Sequence, residues 1–215
     1  MKKTIFILLA VLMTASAAVA VADDVEPGQR RAQMVQQYLN KNAAHTVDAD
    51  EFLEMVKDGD VDGIASLQDI SLLSAKDKFG NNCFHLAKDA ATLQALARTV
   101  RRLTPQTMDE TFAHLRNERN EMGETPLMTH VSYGKASTFF LLYKGSELET
   151  NIRQVQAVDK GGALSQTANI RKKVVLALSK DNSGRTVAQA ALANISEPGM
   201  SRVEAFFKAN APYLF

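Results

Sequence analysis

The sequence predicts an all-α fold: an irregular solenoid of about four to five helical pairs with short projecting turns and an N-terminal capping helix. Three observations predict it. A turn opened by Asp or Asn and closed by Gly occurs three times, at Asp77-Lys78-Phe79-Gly80, Asn120-Glu121-Met122-Gly123 and Asp181-Asn182-Ser183-Gly184. The short polar side chain can bond the backbone two residues on, and Gly takes the position that needs freedom in φ. After each turn come residues suited to opening a helix, Asn82-Cys83-Phe84-His85, Thr125-Pro126-Leu127 and Thr186-Val187. Between the turns, apolar residues recur at helical spacing. One helical pair cannot bury its own apolar face, so neighbouring pairs must stack.

Residues 1–22 read as a secretory signal peptide. Lys2 and Lys3 give a positive start, Ile5 to Met13 an apolar stretch, and Ala18-Val19-Ala20 or Ala20-Val21-Ala22 a small-residue cleavage site. The competing reading is a retained anchor, since Thr4 to Ala22 approaches the ~20 apolar residues of a span. Asp23-Asp24 directly after the alanines favours cleavage. The expected product is periplasmic, without stable membrane insertion. Losing two lysines takes Lys+Arg from 25 to 23 against 24 Asp+Glu, a net charge of −1. That balance removes the electrostatic motive for binding nucleic acid or an anionic membrane. Cys83 is the single cysteine, so no intramolecular disulfide can form and stability must come from apolar stacking.

Residues 23–47 form a lead and a capping helix over Arg30 to Asn42, with Met34, Val35, Tyr38 and Leu39 at helical spacing. The repeat domain is expected over 48–215. Asp48 or Asp50 can cap a helix bearing Phe52, Met55 and Val56, which Gly59 stops before a second helix bearing Val61, Ile64 and Leu67. The next unit runs from Gly80, with Phe84, Leu86 and Ala87 on one helix and Leu93, Leu96 and Val100 on the other. The turn glycines lie 43 and 61 residues apart. Helical insertions near 104–116 and 150–179 account for the extra length. In the first, Thr104 caps and Pro105 starts a helix through Met108, Phe112 and Leu115; in the second, a degenerate pair places Leu164, Ala168, Val175 and Leu178 on one face. The final unit starts at Gly184 and ends with Val203, Phe206 and Phe207.

These residues resemble the ankyrin-repeat family, whose units carry a turn with Asp or Asn and Gly, a Thr-Pro-Leu-His helix start and a Gly between helices. Gly123 to Gly145 is the best copy; Gly80 to Ala91 keeps the turn Gly and His85, and Gly184 to Leu192 keeps Thr186. The resemblance spans residues 48–209. It implies a protein-binding module without catalysis or cofactor, and for an exported bacterial member a periplasmic partner. That partner could be a cell-wall peptidase from which the producing cell is shielded, with accessory service to an antioxidant enzyme as a second reading. The family's His position, here His85, implies a bond to backbone of the neighbouring turn.

Phe79 and Met122 are apolar where turn tips are normally polar, and Lys78, Arg119 and Glu121 flank them. This composition suits interface anchors within a charged rim. With Asn182 of the third turn, they are the expected partner-binding residues. The alternative is that each side chain folds back onto the adjacent turn.

Three rival readings remain at this level. Residues 58–69 place Asp58, Asp60, Asp62, Gly63, Ser66 and Asp69 at EF-hand positions, which would make a calcium-binding regulatory module. Against it, Asp69 is short for the final bidentate ligand, and Val61, Ile64 and Leu67 have helical spacing. Cys83 near a helix start could be a reactive thiol. His45, His114 and His130 complete no catalytic or metal motif, so no catalytic, cofactor or metal residue is assigned. The C-terminal Tyr213-Leu214-Phe215 either seals the last unit or is offered to a partner.

Overall fold

The computed structural model describes residues 47–161 and 165–215. The expected signal peptide and the expected Arg30 to Asn42 helix, together with His45 and Leu164, lie outside the described residues. All named elements within them are helical: α1 Ala49–Asp58, α2 Val61–Ser66, α3 Cys83–Leu86, α4 Ala90–Leu103, α5 Met108–Asn117, α6 Pro126–Ser132, α7 Ala136–Tyr143, α8 Glu147–Lys160, α9 Ser165–Leu178, α10 Val187–Ala193 and α11 Met200–Asn210. Short 3-10 turns at Ile70–Ser74 and Pro212–Leu214 complete them.

Local chemistry sets the boundaries. Asp48 accepts from the Glu51 N–H to start α1, and Gly59 ends it at φ 75°. Asp60 then caps α2. Asn82 and Thr186 each form a reciprocal capping box, with His85 and Gln189, while Thr125 caps α6 with Pro126 in its first turn. One boundary differs from expectation. The helix after residue 104 begins at Met108, and Thr104 does not cap it, because its hydroxyl donates back to the Val100 carbonyl within α4's last turn.

The helices stack in two layers. α1, α3, α6 and α10 contact one another in that order, and α2, α4, α7 and α11 do the same behind them. Four helix pairs therefore share one core inside the unit Val47–Phe215. Fully buried Phe52, Ile64, Leu96, Phe139, Leu142, Met200 and Phe207 run through it. Burying such side chains contributes about 1.5–3 kcal/mol each. An aromatic cluster ties the last two pairs together: Phe139 of α7 meets Phe206 and Phe207 of α11 edge-on, with centroids 5.3 and 5.4 Å apart.

The remaining helices do not belong to either layer. α5 packs on α4 and α6, and α8 and α9 pack chiefly on each other. No helix among the described residues is long and apolar enough to cross a membrane. The C-terminus seals the last pair: Leu214 is buried, and its carbonyl accepts from the Thr186 hydroxyl at 2.5 Å. Residues 58–69 comprise the end of α1, the Gly59 turn, α2 and the segment after it, with Asp60 occupied as a helix cap and Ile64 buried. Among the described residues, no group of three or more His, Cys, Asp or Glu side chains is placed to hold a metal ion.

Candidate functional site

The three turns share one hydrogen-bond pattern. In each, the opening side-chain oxygen, Oδ1 of Asp77, Asn120 or Asp181, accepts from the N–H two residues on and again from the N–H four residues on, at 2.9–3.0 Å. Each turn Gly N–H donates to the carbonyl of that opening residue, and Gly80, Gly123 and Gly184 have φ of 74°, 75° and 81°. These bonds hold the Asp77 and Asp181 carboxyls below their ordinary range, although burial alone would raise them.

The turns are also bonded to one another. The Glu121 N–H donates to the Phe79 carbonyl and the Asn182 N–H to the Met122 carbonyl, both at 3.0 Å. Asn120 reaches back to the Asn81 side chain at 2.9 Å, and Asn182 to the Glu121 carbonyl at 2.9 Å. A continuous backbone row results, with Phe79, Met122 and Ser183 at equivalent places along it. Phe79 and Met122 are 52% and 51% exposed. Lys78 lies over the Phe79 ring at 5.1 Å.

Of the six expected partner-binding residues, Lys78, Phe79, Glu121, Met122 and Asn182 lie on this row. Arg119 precedes the second turn, and its guanidinium donates to the carbonyls of Gly123, Leu178 and Lys180. It joins the second turn to the C-terminal end of α9, where a cation is favoured.

Two buried histidines cross-link the units beneath the row. His85 Nδ1 accepts from the Asn82 N–H at 3.2 Å, which leaves Nε2 to donate to the Glu124 carbonyl at 2.9 Å. His130 Nε2 donates to the Phe84 carbonyl at 3.0 Å, with Nδ1 against the Thr138 hydroxyl at 2.9 Å. Burial pushes His85 down to about 4 and His130 to about 3, so both rings are neutral. Cys83 is completely enclosed, and burial pushes its thiol up to about 12. Such a thiol is protonated and inaccessible, which removes the nucleophile reading.

The sequence reading missed a polar centre at Glu124. Its carboxylate is buried and accepts from Thr129 and Ser132 hydroxyls, both at 3.1 Å, and from Arg185 at 3.1 Å. Arg185 also pairs with Asp181 at 3.2 Å. A usable signal was present. Glu124 and Arg185 each follow the turn Gly of successive copies, so superposing the copies sets opposite charges in adjacent layers.

The row gives a direct stability prediction. A Cβ on Gly184 would meet nothing within 4 Å, whereas one on Gly123 would lie 2.3 Å from Asn182 Oδ1 and 3.0 Å from its backbone nitrogen. Both glycines are left-handed, so alanine costs each about 1–2 kcal/mol. Gly123→Ala must in addition push the third turn away. Urea unfolding should show Gly184→Ala losing about 1 kcal/mol and Gly123→Ala about 3; equal losses would mean that the turns are not mechanically coupled.

No family model matches the chain, and no curated protein matches it.

Proposed function

We propose that this chain is an exported ankyrin-type protein-binding module that holds a periplasmic enzyme and restrains or protects it, with self-protection against a cell-wall peptidase as the leading case. The observation that carries the reading is the row of three mutually bonded turns with Phe79 and Met122 displayed side by side. Such a row is rigid before binding, which lowers the ordering cost of association. Two adjacent apolar anchors beside Lys78 and Glu121 have the composition of an interface centre with a charged rim. The two stacked helix layers and the His85 bond to the neighbouring turn support the ankyrin reading. Export rests on residues 1–22 and the small-residue cleavage site.

Cross-linking the mature chain in its own cells, followed by mass spectrometry, should return one specific periplasmic protein. Purified Phe79→Ala/Met122→Ala should fold like the parent, because both side chains are half exposed. It should bind that protein more than tenfold more weakly. Unchanged affinity in a folded double variant would place the interface elsewhere. Inhibition of the captured enzyme's activity by the parent chain, and not by the variant, would distinguish restraint from passive scaffolding.

A further inference from the structure

Away from the turn row, Arg116 presents an electrostatic imbalance. It lies at the end of α5, only partly exposed, with its guanidinium 4.9 Å from the centroid of the Phe112 ring. A Cβ on Gly145 would lie 2.8 Å from its Nη1, so the glycine there gives the guanidinium its room. Among the described residues, no hydrogen bond or ion pair satisfies that group, and Nε is fully enclosed without a partner. The acid whose charge acts on it is Glu149. That carboxylate is already committed to the Gly145 N–H and to Arg153, both at 2.6 Å. A partly buried cation without an acceptor is costly, because desolvation is not offset by pairing.

Arg116 lines two open depressions. One is bounded by Arg119, Asn117, Thr125, Ser146 and Ser179 together with Leu127, Leu148 and Leu178. Its hydroxyl and amide donors are spoken for: Ser146 donates to the Tyr143 carbonyl, Ser179 to Leu176 and Asn117 to Ala113. The other has Leu93, Ala97, Leu141 and Leu142 along its apolar side. Leu141 is 37% exposed there. The guanidinium thus stands between a depression of mixed polar and apolar lining and a mostly apolar one, with its terminal nitrogens not enclosed.

We propose that Arg116 anchors a binding site for a carboxylate carrying an apolar group, with the carboxylate on the guanidinium and the apolar group along Leu93, Ala97 and Leu141. The planar guanidinium matches a carboxylate in two parallel hydrogen bonds. Binding would give the guanidinium a hydrogen-bond acceptor, which neither the Phe112 ring nor Glu149 supplies. The apolar wall supplies the selectivity for a hydrophobic acid over a bare anion. Arg119 borders one depression, but the groups assigned to the ligand, Arg116, Leu93, Ala97 and Leu141, are not among the expected partner-binding residues, so the site stands or falls independently of the partner reading.

The test uses the mature chain, with acetate, N-acetyl-leucine and inorganic phosphate as probes at constant ionic strength. N-acetyl-leucine should raise Tm by about 4 °C at about ten times its Kd, and acetate at the same concentration by less. Arg116→Gln should abolish the response, and Arg116→Lys should weaken binding about tenfold by losing the fork. Leu141→Ser should reduce the response to N-acetyl-leucine to that of acetate. Unliganded Arg116→Gln should melt at or above the parent, because it removes an unpaired charge. No shift with N-acetyl-leucine in the parent would overturn the proposal. So would a shift that survives in Arg116→Gln, or a response confined to phosphate. If Arg116→Gln fails to fold, the Arg116→Lys and Leu141→Ser titrations decide the question.

Discussion

Lowering the pH from 7.5 to 5 is expected to cost the fold about 4 kcal/mol, measured as the change in urea unfolding free energy. His85 and His130 are the cause. Their folded values, about 4 and about 3, lie below the 6.5 of an unfolded histidine. Between pH 6.5 and about 4 the unfolded chain therefore binds up to two more protons than the folded one. Their contribution is fully present above pH 6.5 and is lost as pH falls, at up to about 2.7 kcal/mol per pH unit while both remain neutral in the fold. Carboxylates cannot produce this window. Asp77, Asp89, Asp181 and Glu118 are all held below their ordinary values, so their contribution is lost only at lower pH, below about 4.

The window can be assigned to each ring. His130→Gln keeps an amide that can donate to the Phe84 carbonyl and cannot be protonated, so it should roughly halve the slope between pH 6.5 and 4.5. His85→Gln should do the same, and the double variant should leave the region nearly flat. Both single variants will be less stable than the parent at pH 7.5, since glutamine does not reproduce the ring geometry. The diagnostic quantity is the slope. A parent whose stability is constant from pH 7.5 to 5 would contradict neutral burial of both rings.

Much of this arrangement was legible because short-range chemistry dictates it. Asp77, Asn120 and Asp181 open turns that Gly80, Gly123 and Gly184 close, and each element obeys rules that act within four residues. Helix starts at Asn82, Thr125 and Thr186 follow for the same reason. What was not legible depends on contacts between layers. Thr104 had the right neighbours for a cap, yet its hydroxyl turned to Val100, and only the path of the chain decides between two such acceptors. His130 looked like one of several scattered histidines until the stacking of α6 on α3 brought it to Phe84. Arg119 read as a charged rim residue, and the return of α9 supplied the carbonyls that engage its guanidinium. Arg116 had no sequence signal at all, because an unsatisfied charge is visible only when every neighbour is known.

Glu124→Ala is expected to destabilise the fold by about 3 kcal/mol, the second large effect. The carboxylate is buried, and its loss deprives the Thr129 and Ser132 hydroxyls and one Arg185 nitrogen of their acceptor. The Thr129 hydroxyl supplies most of that cost, because it is buried, whereas Ser132 is half-buried and keeps its bond from Arg185. The Arg185 side chain is 39% exposed, so its pairing with Glu124 is screened by solvent and contributes about 1 kcal/mol at most. Glu124→Gln, which keeps the volume and one acceptor oxygen, should lose less than Glu124→Ala. Arg185→Met should lose about 1–2 kcal/mol, because it leaves a buried carboxylate with hydroxyl donors alone. In a double-mutant cycle, Glu124→Gln with Arg185→Met should be less destabilised than the two single losses combined, by about 1 kcal/mol. Strict additivity would mean that the two residues do not interact, and that the third and last helix pairs are joined by apolar packing and the turn row alone.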